Sequence, residues 1–175
     1  KKPDIVTPNG FEDSFVPGDD TFEQKRKESR DMLRKITKSV CGTDPGEDAL
    51  FVVNSGRYEF KNKGIDLFID AMAELSKRNE FKRDLVAFIT VPANNAGVRQ
   101  DVLRHFTDNT IPSESQYLSH YLFDEENDPI VQRLNNYGIN NNPDSKVKVI
   151  FVPSYLDGDD GLINMQYYDL LIGFD

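Results

Sequence analysis

Three continuous apolar runs along the chain have the length of β-strands. They are "ALFVVNS" from residue 49, "DLVAFITVP" from residue 84 and "KVKVIFVPS" from residue 146, each rich in β-branched or aromatic residues. Alternating polar positions are nearly absent, which is typical of strands buried on both faces of a sheet. The pattern therefore predicts three buried strands, and Pro92 ends the second of them.

A helical period separates the first two strands. In "GIDLFIDAMAELSKRN", Ile65, Phe68, Met72 and Leu75 recur at intervals of three and four residues, which places them on one face of a helix. Two strands joined by such a helix form a βαβ crossover, in which the strands are parallel. The sequence thus predicts a βαβ unit over residues 50–92.

The remaining segments are predicted to contribute helices and loops. Residues 1–45 form a leading segment with a turn at Pro8-Asn9-Gly10, followed by a helix over 21–39 for which Thr21 and Gln24 have capping-box spacing. Residues 93–145 are expected to lie outside the sheet, with helices near 97–108 and 128–137, and residues 146–175 to supply the third strand and a last helix from 164. Together these elements predict one domain, an α/β layer sandwich with a mainly parallel sheet.

Composition excludes several classes of partner. The chain has 175 residues, a formal net charge of −9 and a pI near 4.7, so its surface as a whole repels nucleic acids and anionic membranes. A single cysteine, Cys41, cannot form an internal disulfide, and no apolar run approaches the roughly 18 residues that span a bilayer. We expect a cytoplasmic protein whose anionic ligands are held by a local basic site.

Such a basic site is present in "NSGRYEFKNKG", the loop that follows the first predicted strand. Arg57, Lys61 and Lys63 cluster there against an acidic background. Ligands of parallel α/β sheets bind beyond the carboxyl ends of the strands, where loops lead into helix N-termini. Arg57 and Lys63 are therefore candidates for binding a diphosphate, and the alternative is that these cations are solvated loop charges. Neither a Walker loop nor a dinucleotide fingerprint occurs in the sequence.

Two tyrosines beyond the third strand could stack on a nucleobase. Tyr155 follows that strand directly and Tyr167 begins the last predicted helix. Aromatic residues in such positions also serve as core, which is the alternative for both. His105 and His120 have no nucleophile or metal-type spacing near them, so we predict that they are structural or surface residues. No complete catalytic set is visible.

At "SGRYEFKNKG" the sequence resembles the glycogen synthases of the fungal and animal type, glycosyltransferase family 3. The resemblance extends to "VTPNG", "GIDLFIDAMAEL", "VAFITVPA", "VKVIFVPSYL" and "MQYYDLLIGFD", in the family's order. It implies a Rossmann-like three-layer sandwich that forms one half of a GT-B enzyme, and a retaining transfer of glucose from UDP-glucose to an α-1,4-glucan. The chain would then be most of the C-terminal, donor-binding domain.

The resemblance also implies roles for individual residues. The family's donor-site cations fall on Arg57 and Lys63, and its nucleobase-binding aromatics on Tyr155 and Tyr167. No metal and no other cofactor is expected. The partners implied are the sugar nucleotide, the glucan acceptor and an N-terminal GT-B domain, and the whole enzyme is expected to be capable of oligomerising.

Three departures from the family define further expectations. The family's catalytic glutamates belong to a Glu-Pro-Trp-Gly-Tyr motif that would follow Asp175, so we expect no catalytic residue in this chain and no activity of the chain alone. In place of the arginine-rich, glucose 6-phosphate-sensing helix of eukaryotic members the sequence offers only Arg133, which suggests a bacterial member. The alternatives are another GT-B donor domain, of the ADP-glucose or sucrose synthase type, and a non-catalytic nucleotide- or phosphate-binding module.

Overall fold

Parallel strands form the middle layer of the molecule in a computed structural model, which describes residues 10, 12–78, 81–109 and 117–175. The extended segment predicted before Gly10 lies outside the described residues. The described residues contain, after a 3-10 turn at Asp13–Phe15, these elements: α1 (Asp19–Cys41), β1 (Leu50–Ser55), α2 (Ile65–Ser76), β2 (Leu85–Thr90), β3 (Asn95–Val98), α3 (Gln100–Asp108), β4 (His120–Leu122), α4 (Pro129–Asn136), β5 (Val147–Phe151) and α5 (Tyr167–Leu171).

The three predicted strands form one parallel sheet in the order β1-β2-β5. Leu50 of β1 lies beside Leu85 of β2, which in turn lies beside Val147 of β5, so the strands begin and end at similar levels. All six residues of β2 are buried, as its central place requires. In β1 Phe51 is fully buried and the other residues are partly buried, with Leu50 and Val52 packed against one core and Val53 against the other, so both faces of this strand are covered but less completely than those of β2.

Helices cover the sheet on both sides, and the fold class predicted from the sequence is confirmed. On one side, α1, α3 and α5 pack together over Phe51, Phe88 and Ile150. On the other side, α2 and α4 pack over Ala87 and Val149. Neighbouring residues of a strand point to opposite faces, so the apolar runs supply both halves of the core. The result is a three-layer, Rossmann-like α/β sandwich.

The segment 93–145 differs from its prediction. Its two helices, α3 and α4, are present, but β3 and β4 also pair as a short antiparallel ribbon. Ser119 N donates to Phe151 O and Phe151 N donates to Tyr117 O, so this segment continues the hydrogen bonding of the sheet beyond β5. The prediction that all of it lies outside the sheet was therefore wrong.

The first and last helices differ from prediction at their ends. The N-cap of α1 is Gly18, to whose carbonyl oxygen Thr21 donates, and Gln24 bonds Glu28, so the proposed capping box is not formed. The last helix contains only five residues: it begins after Gln166, which forms a bridge with Asp157, and arginine side chains of α1 bind the carbonyls that follow its end. Arg26 donates to Ile172 O and Phe174 O, and Arg30 donates to Gly173 O. Residues 172–175 are held in this way rather than continuing the helix.

Every helix in the described ranges is too short or too polar to cross a lipid bilayer.

Candidate functional site

A pocket of about 440 Å³ lies beyond the carboxyl ends of the three parallel strands. This volume is in the range of small-molecule sites, roughly 300–1,000 Å³. Each strand contributes to it through its last residue or the loop that follows, which is where ligands of parallel α/β sheets bind. The lining residues are Gly56, Arg57, Tyr58, Thr90, Pro92, Ser154, Tyr155, Leu156, Asp157 and Tyr167.

Three of the four predicted site residues meet in this pocket. Arg57 reaches it from the loop after β1, Tyr155 from the loop after β5, and Tyr167 from the first turn of α5. These residues are far apart in sequence and are brought together because β1 and β5 flank β2 and end at the same edge. The pocket thus combines a cation with two aromatic rings.

Arg57 is available to a ligand. Its side chain is 79% exposed, and the ion pair that it forms joins its Nε to Glu59 Oε1 at 2.8 Å. Its guanidinium is thus paired with a carboxylate of the same loop while remaining largely open to solvent. A guanidinium can donate two parallel hydrogen bonds to neighbouring anionic oxygens, so Arg57 is suited to a phosphate group.

Lys63 is exposed but does not line the pocket. Its main chain is fixed, since its carbonyl oxygen accepts from Asn54 Nδ2 at 3.4 Å, while its ammonium group forms no ion pair within the described residues. Lys61 is engaged instead, because its Nζ lies 2.8 Å from Asp66 Oδ2. The structure therefore distinguishes the loop cations: Arg57 lines the pocket and is paired with Glu59, Lys61 is paired with Asp66, and Lys63 lies outside the lining.

The start of α2 is not the anion site that the sequence suggested. The N–H groups of Ile65 and Asp66 both donate to Phe60 O, at 3.1 and 3.4 Å. The side chain of Asp66 adds negative charge in the first turn, and the Lys61 hydrogen bond lowers the pKa of that carboxyl. The expected unpaired donors of this helix are thus already used, and the positive character of the pocket comes from Arg57.

The two tyrosines are held differently. Tyr155 is 74% exposed, so its ring is open to a ligand. Tyr167 is half-buried, its N–H donates to Leu156 O, and its hydroxyl lies 2.5 Å from Ser55 Oγ at the end of β1. The ring of Tyr155 is therefore exposed to solvent, whereas the ring of Tyr167 is held in place by hydrogen bonds on the same pocket.

Two hydroxyl-bearing residues of the strand ends were missed by the sequence reasoning. Thr90 is the last residue of β2 and lines the pocket, and Ser55 is the last residue of β1 and fixes Tyr167. A single hydroxyl at the end of an apolar run has no periodicity or motif that marks it. Only the parallel register, which pairs Ser55 with Thr90, brings them to one place.

Tyr58 separates this pocket from a second hollow of about 300 Å³ and lines both. Its hydroxyl donates to Asp128 Oδ2 at 2.6 Å, and burial together with this carboxylate raises the pKa of Tyr58. Asp128 also caps α4, accepting from the N–H groups of Ile130 and Val131. Tyr58, the neighbour of Arg57 in sequence, is therefore hydrogen-bonded to the segment 93–145.

A second link joins that segment to α2. Arg133 of α4 binds both carboxylate oxygens of Asp70, at 2.7 and 2.6 Å, and Tyr137 donates to the same carboxylate. The Arg133 hydrogen bond is the main cause of the lowered pKa of Asp70. Because the guanidinium of Arg133 is hydrogen-bonded to Asp70, its role is to join α4 to α2.

Other reactive side chains lie outside the pocket. His105 and His120 are buried, at 2% and 1% exposure, as structural residues. Burial raises the pKa of Cys41 to about 12, so this thiol is unreactive at neutral pH. Within the described ranges, no three His, Cys, Asp or Glu side chains are grouped so that they could hold a metal ion.

Comparison with known proteins agrees with this arrangement of strand, basic loop and helix. The family model described as glycogen synthase matches residues 1–111. The chain belongs to the glycogen synthase family. The matched residues include Arg57 and Lys63 and end before Tyr155.

Relatives within the glycogen synthase family extend the match to nearly the whole chain. The glycogen (starch) synthase of Neurospora crassa is 23% identical over an alignment of 233 positions, which covers 99% of this chain and 33% of the relative. Isoform 2 from Saccharomyces cerevisiae is 23% identical over 99% of the chain and 34% of the relative. The liver glycogen (starch) synthase of Rattus norvegicus is 25% identical, with 99% and 32% covered. The chain spans about a third of the length of the curated relatives that it matches.

Proposed function

We propose that this chain is the donor-binding part of a retaining glucosyltransferase that transfers glucose from UDP-glucose to the non-reducing 4-OH of an α-1,4-glucan. The observation that supports it most is the meeting of Arg57, Tyr155 and Tyr167 in one pocket at the strand ends. A cation for phosphate and two rings for a nucleobase are what a nucleoside diphosphate requires. Membership of the glycogen synthase family supplies the class of reaction.

Arg57 would act on the leaving group. When the bond between glucose and the diphosphate breaks, negative charge grows on the departing UDP. A guanidinium already in place near those oxygens stabilises the charge without reorganising, which is a large effect in many enzymes. Lys63, at the far end of the same loop, is proposed to add a second positive charge, and in this scheme no metal ion is required.

The rings would hold the nucleoside. Tyr167, fixed by Ser55, offers a preformed surface, and the exposed Tyr155 can close on the other side. Stacking of a base on an aromatic ring contributes about 1–3 kcal/mol by alanine substitution. We propose that UDP is bound by these two contributions together, with an N-terminal GT-B domain, the glucan and the remaining catalytic groups supplied by the rest of the enzyme.

Titration calorimetry of UDP against the chain tests the proposal. Replacing Arg57 by Ala removes a charge-assisted hydrogen bond, and we expect the affinity for UDP to fall about tenfold or more. The matched control is Lys61→Ala, which removes a cation from the same loop but one already paired with Asp66. We expect it to change the affinity less than about threefold, as for an exposed ion pair. Equal affinities of the wild type and Arg57→Ala would contradict the phosphate role.

The same titrations distinguish the alternative functions. Tighter binding of ADP than of UDP would favour a donor domain of the ADP-glucose type. Pyrophosphate bound as tightly as UDP would favour a phosphate-binding module without a nucleoside site, since the two tyrosines would then contribute nothing. We expect the affinity order UDP, ADP, pyrophosphate, from tightest to weakest.

A further inference from the structure

The hydroxyl of Thr90 is buried and forms no hydrogen bond with any described residue. The residue is the last of β2, it is 6% exposed, and it lines the pocket. Its Oγ1 has no hydrogen-bond partner in the described part of the chain. Leaving a buried hydroxyl unpaired is destabilising, so such a group in a folded protein calls for an explanation.

The surroundings of Thr90 would suit an apolar residue. Val86 and Phe88 precede it on the central strand, and Phe88 occupies the same face of the sheet. Valine has the shape of threonine without the hydroxyl, and would fill the position without an unpaired group. Packing therefore does not account for a hydroxyl at the floor of the pocket.

Two other hydroxyls lie beside it. Thr90 is in register with Ser55, and residues in register on parallel strands project from the same face about 4.8 Å apart. Ser55 Oγ is already bonded to the hydroxyl of Tyr167. This hydroxyl cluster, consisting of Ser55, Thr90 and Tyr167, thus contains one bonded pair and one group that lacks a partner.

The hydroxyl of Thr90 can turn toward a ligand at a small cost in free energy. Rotation about the Cα–Cβ bond exchanges the hydroxyl with the methyl group, and threonine populates more than one such rotamer. Because Oγ1 makes no bond in the described structure, this rotation breaks none. A ligand that fills the pocket would supply the missing partner.

We propose that Thr90 hydrogen-bonds the nucleoside part of a nucleoside diphosphate bound in this pocket, and so helps to select nucleotides over other phosphates. This inference rests on the proposed function and names one further residue of the same site. Thr90 lies beside Ser55, which is bonded to Tyr167, the residue proposed to hold the nucleoside, whereas the proposed diphosphate contact is Arg57. A hydroxyl can donate to a nucleoside carbonyl and can donate to or accept from a nucleoside hydroxyl, whereas a phosphate chain offers it acceptors only.

The variants Thr90→Val and Thr90→Ser, each titrated with UDP and with pyrophosphate, test this. Loss of one hydrogen bond in Thr90→Val should weaken UDP about fivefold and leave pyrophosphate unchanged. Thr90→Ser keeps the hydroxyl and should bind UDP within about twofold of the wild type. Without ligand, the thermal midpoint of Thr90→Val should equal or exceed that of the wild type, because an unpaired buried group has been removed.

The outcomes separate this inference from the proposed function. If Arg57→Ala weakens UDP but Thr90→Val does not, Thr90 is no ligand contact and the proposed site stands. If Thr90→Val weakens UDP and pyrophosphate alike, or lowers the thermal midpoint without affecting binding, its role is structural and the inference is overturned. If the wild type binds no UDP, the proposed function and this inference fail together.

Discussion

His105 and His120 are histidines whose surroundings keep them neutral. Burial is the main cause of the lowered pKa of both rings. Lys38 lowers the pKa of His105 further, whereas the nearby Asp160 opposes the effect at His120. One ring nitrogen of each, Nδ1 of His105 and Nε2 of His120, has no hydrogen-bond partner in the described residues. The backbone of Ser39 opposes the shift at His105 as Asp160 does at His120, but burial outweighs both, so protonation would place a charge on a ring that is largely removed from water.

Stability should therefore fall as the pH is lowered through the histidine range. In the unfolded chain both rings take up protons near pH 6.5. Their pKa in the folded protein is lower, so below that pH the unfolded state binds more protons and is favoured. The free energy of unfolding should decrease by up to about 1.4 kcal/mol per pH unit for each histidine. Urea denaturation at a series of pH values between 7 and 5 measures this.

Glutamine variants are the controls for this measurement. His105→Gln and His120→Gln should each make the dependence less steep in this range, whatever their effect on stability at pH 7. Carboxylates such as Asp70, whose pKa is lowered by Arg133, lose their contribution only at more acidic pH, as they take up protons around pH 4 and below. A stability that is constant from pH 7 to 5 would show that neither buried histidine matters.

At the scale of single residues, the sequence predicted the kind of residue at the site better than it predicted which individual residues line the pocket. The cations after a buried run correctly marked a loop at the end of a parallel strand, and Arg57 lines the pocket there. Charge alone could not tell that Lys61 is taken by Asp66, or that Lys63 lies outside the lining. Thr90 had no signal at all, because its significance depends on its register with Ser55.

At the scale of elements, α1 and the segment that follows α5 pack with almost no space between them. Ser29 Oγ donates to Leu170 O at 2.6 Å, and Arg26 and Arg30 bind the carbonyls that follow. A Cβ added at Gly173 would overlap Ser29 Oγ and lie 3.0 Å from Leu33 Cδ1. The close approach of the two segments thus depends on a residue without a side chain.

The substitution Gly173→Ala should consequently lower stability. Overpacking of a tight contact costs about 1–3 kcal/mol, and denaturation in urea measures it. Gly10→Ala is the matched control, since a Cβ at Gly10 would have no atom within 4 Å. An unchanged midpoint for Gly173→Ala would mean that residues 172–175 can move away from α1 without loss.

Element prediction succeeded where a pattern was long. The βαβ unit of β1, α2 and β2 follows from apolar runs and a helical face, and the structure has all three elements, although α2 ends at Ser76, before the end of the predicted helical run. β3 and β4 were missed because strands of three or four residues, "NAGV" and "HYL", have no measurable period. α5 was predicted too long because its periodicity continues, while the arginines of α1 that bind the carbonyls after it are distant in sequence.

At the scale of the molecule, an acidic protein presents one accessible guanidinium in the described pocket at its strand ends. Only one carboxylate, Asp157, belongs to the described lining, and it is already used to accept from the N–H of Asp159. Glycosyl transfer of this kind needs groups that act on the sugar as well as on the leaving diphosphate. In the proposed function, the groups that act on the sugar would come from the rest of the enzyme.

We therefore expect the 175-residue chain to bind UDP without transferring glucose. Incubated with UDP-glucose and a maltooligosaccharide, it should release no more UDP than buffer does, as followed by anion-exchange chromatography. The control is Arg57→Ala under the same conditions. UDP release by the wild type that this substitution abolishes would contradict the expectation, because it would show that the chain holds a complete active site.

The carboxylate of Asp128 receives three donors, two from the first turn of α4 and one from Tyr58. Any opening of that turn leaves the tyrosine beside Arg57 without its acceptor, and any displacement of the tyrosine loosens the turn. The first turn of α4 and the position of Tyr58 are in this way coupled through one carboxylate. A ligand that immobilises the loop after β1 would slow amide exchange at Ile130 and Val131, although it touches neither.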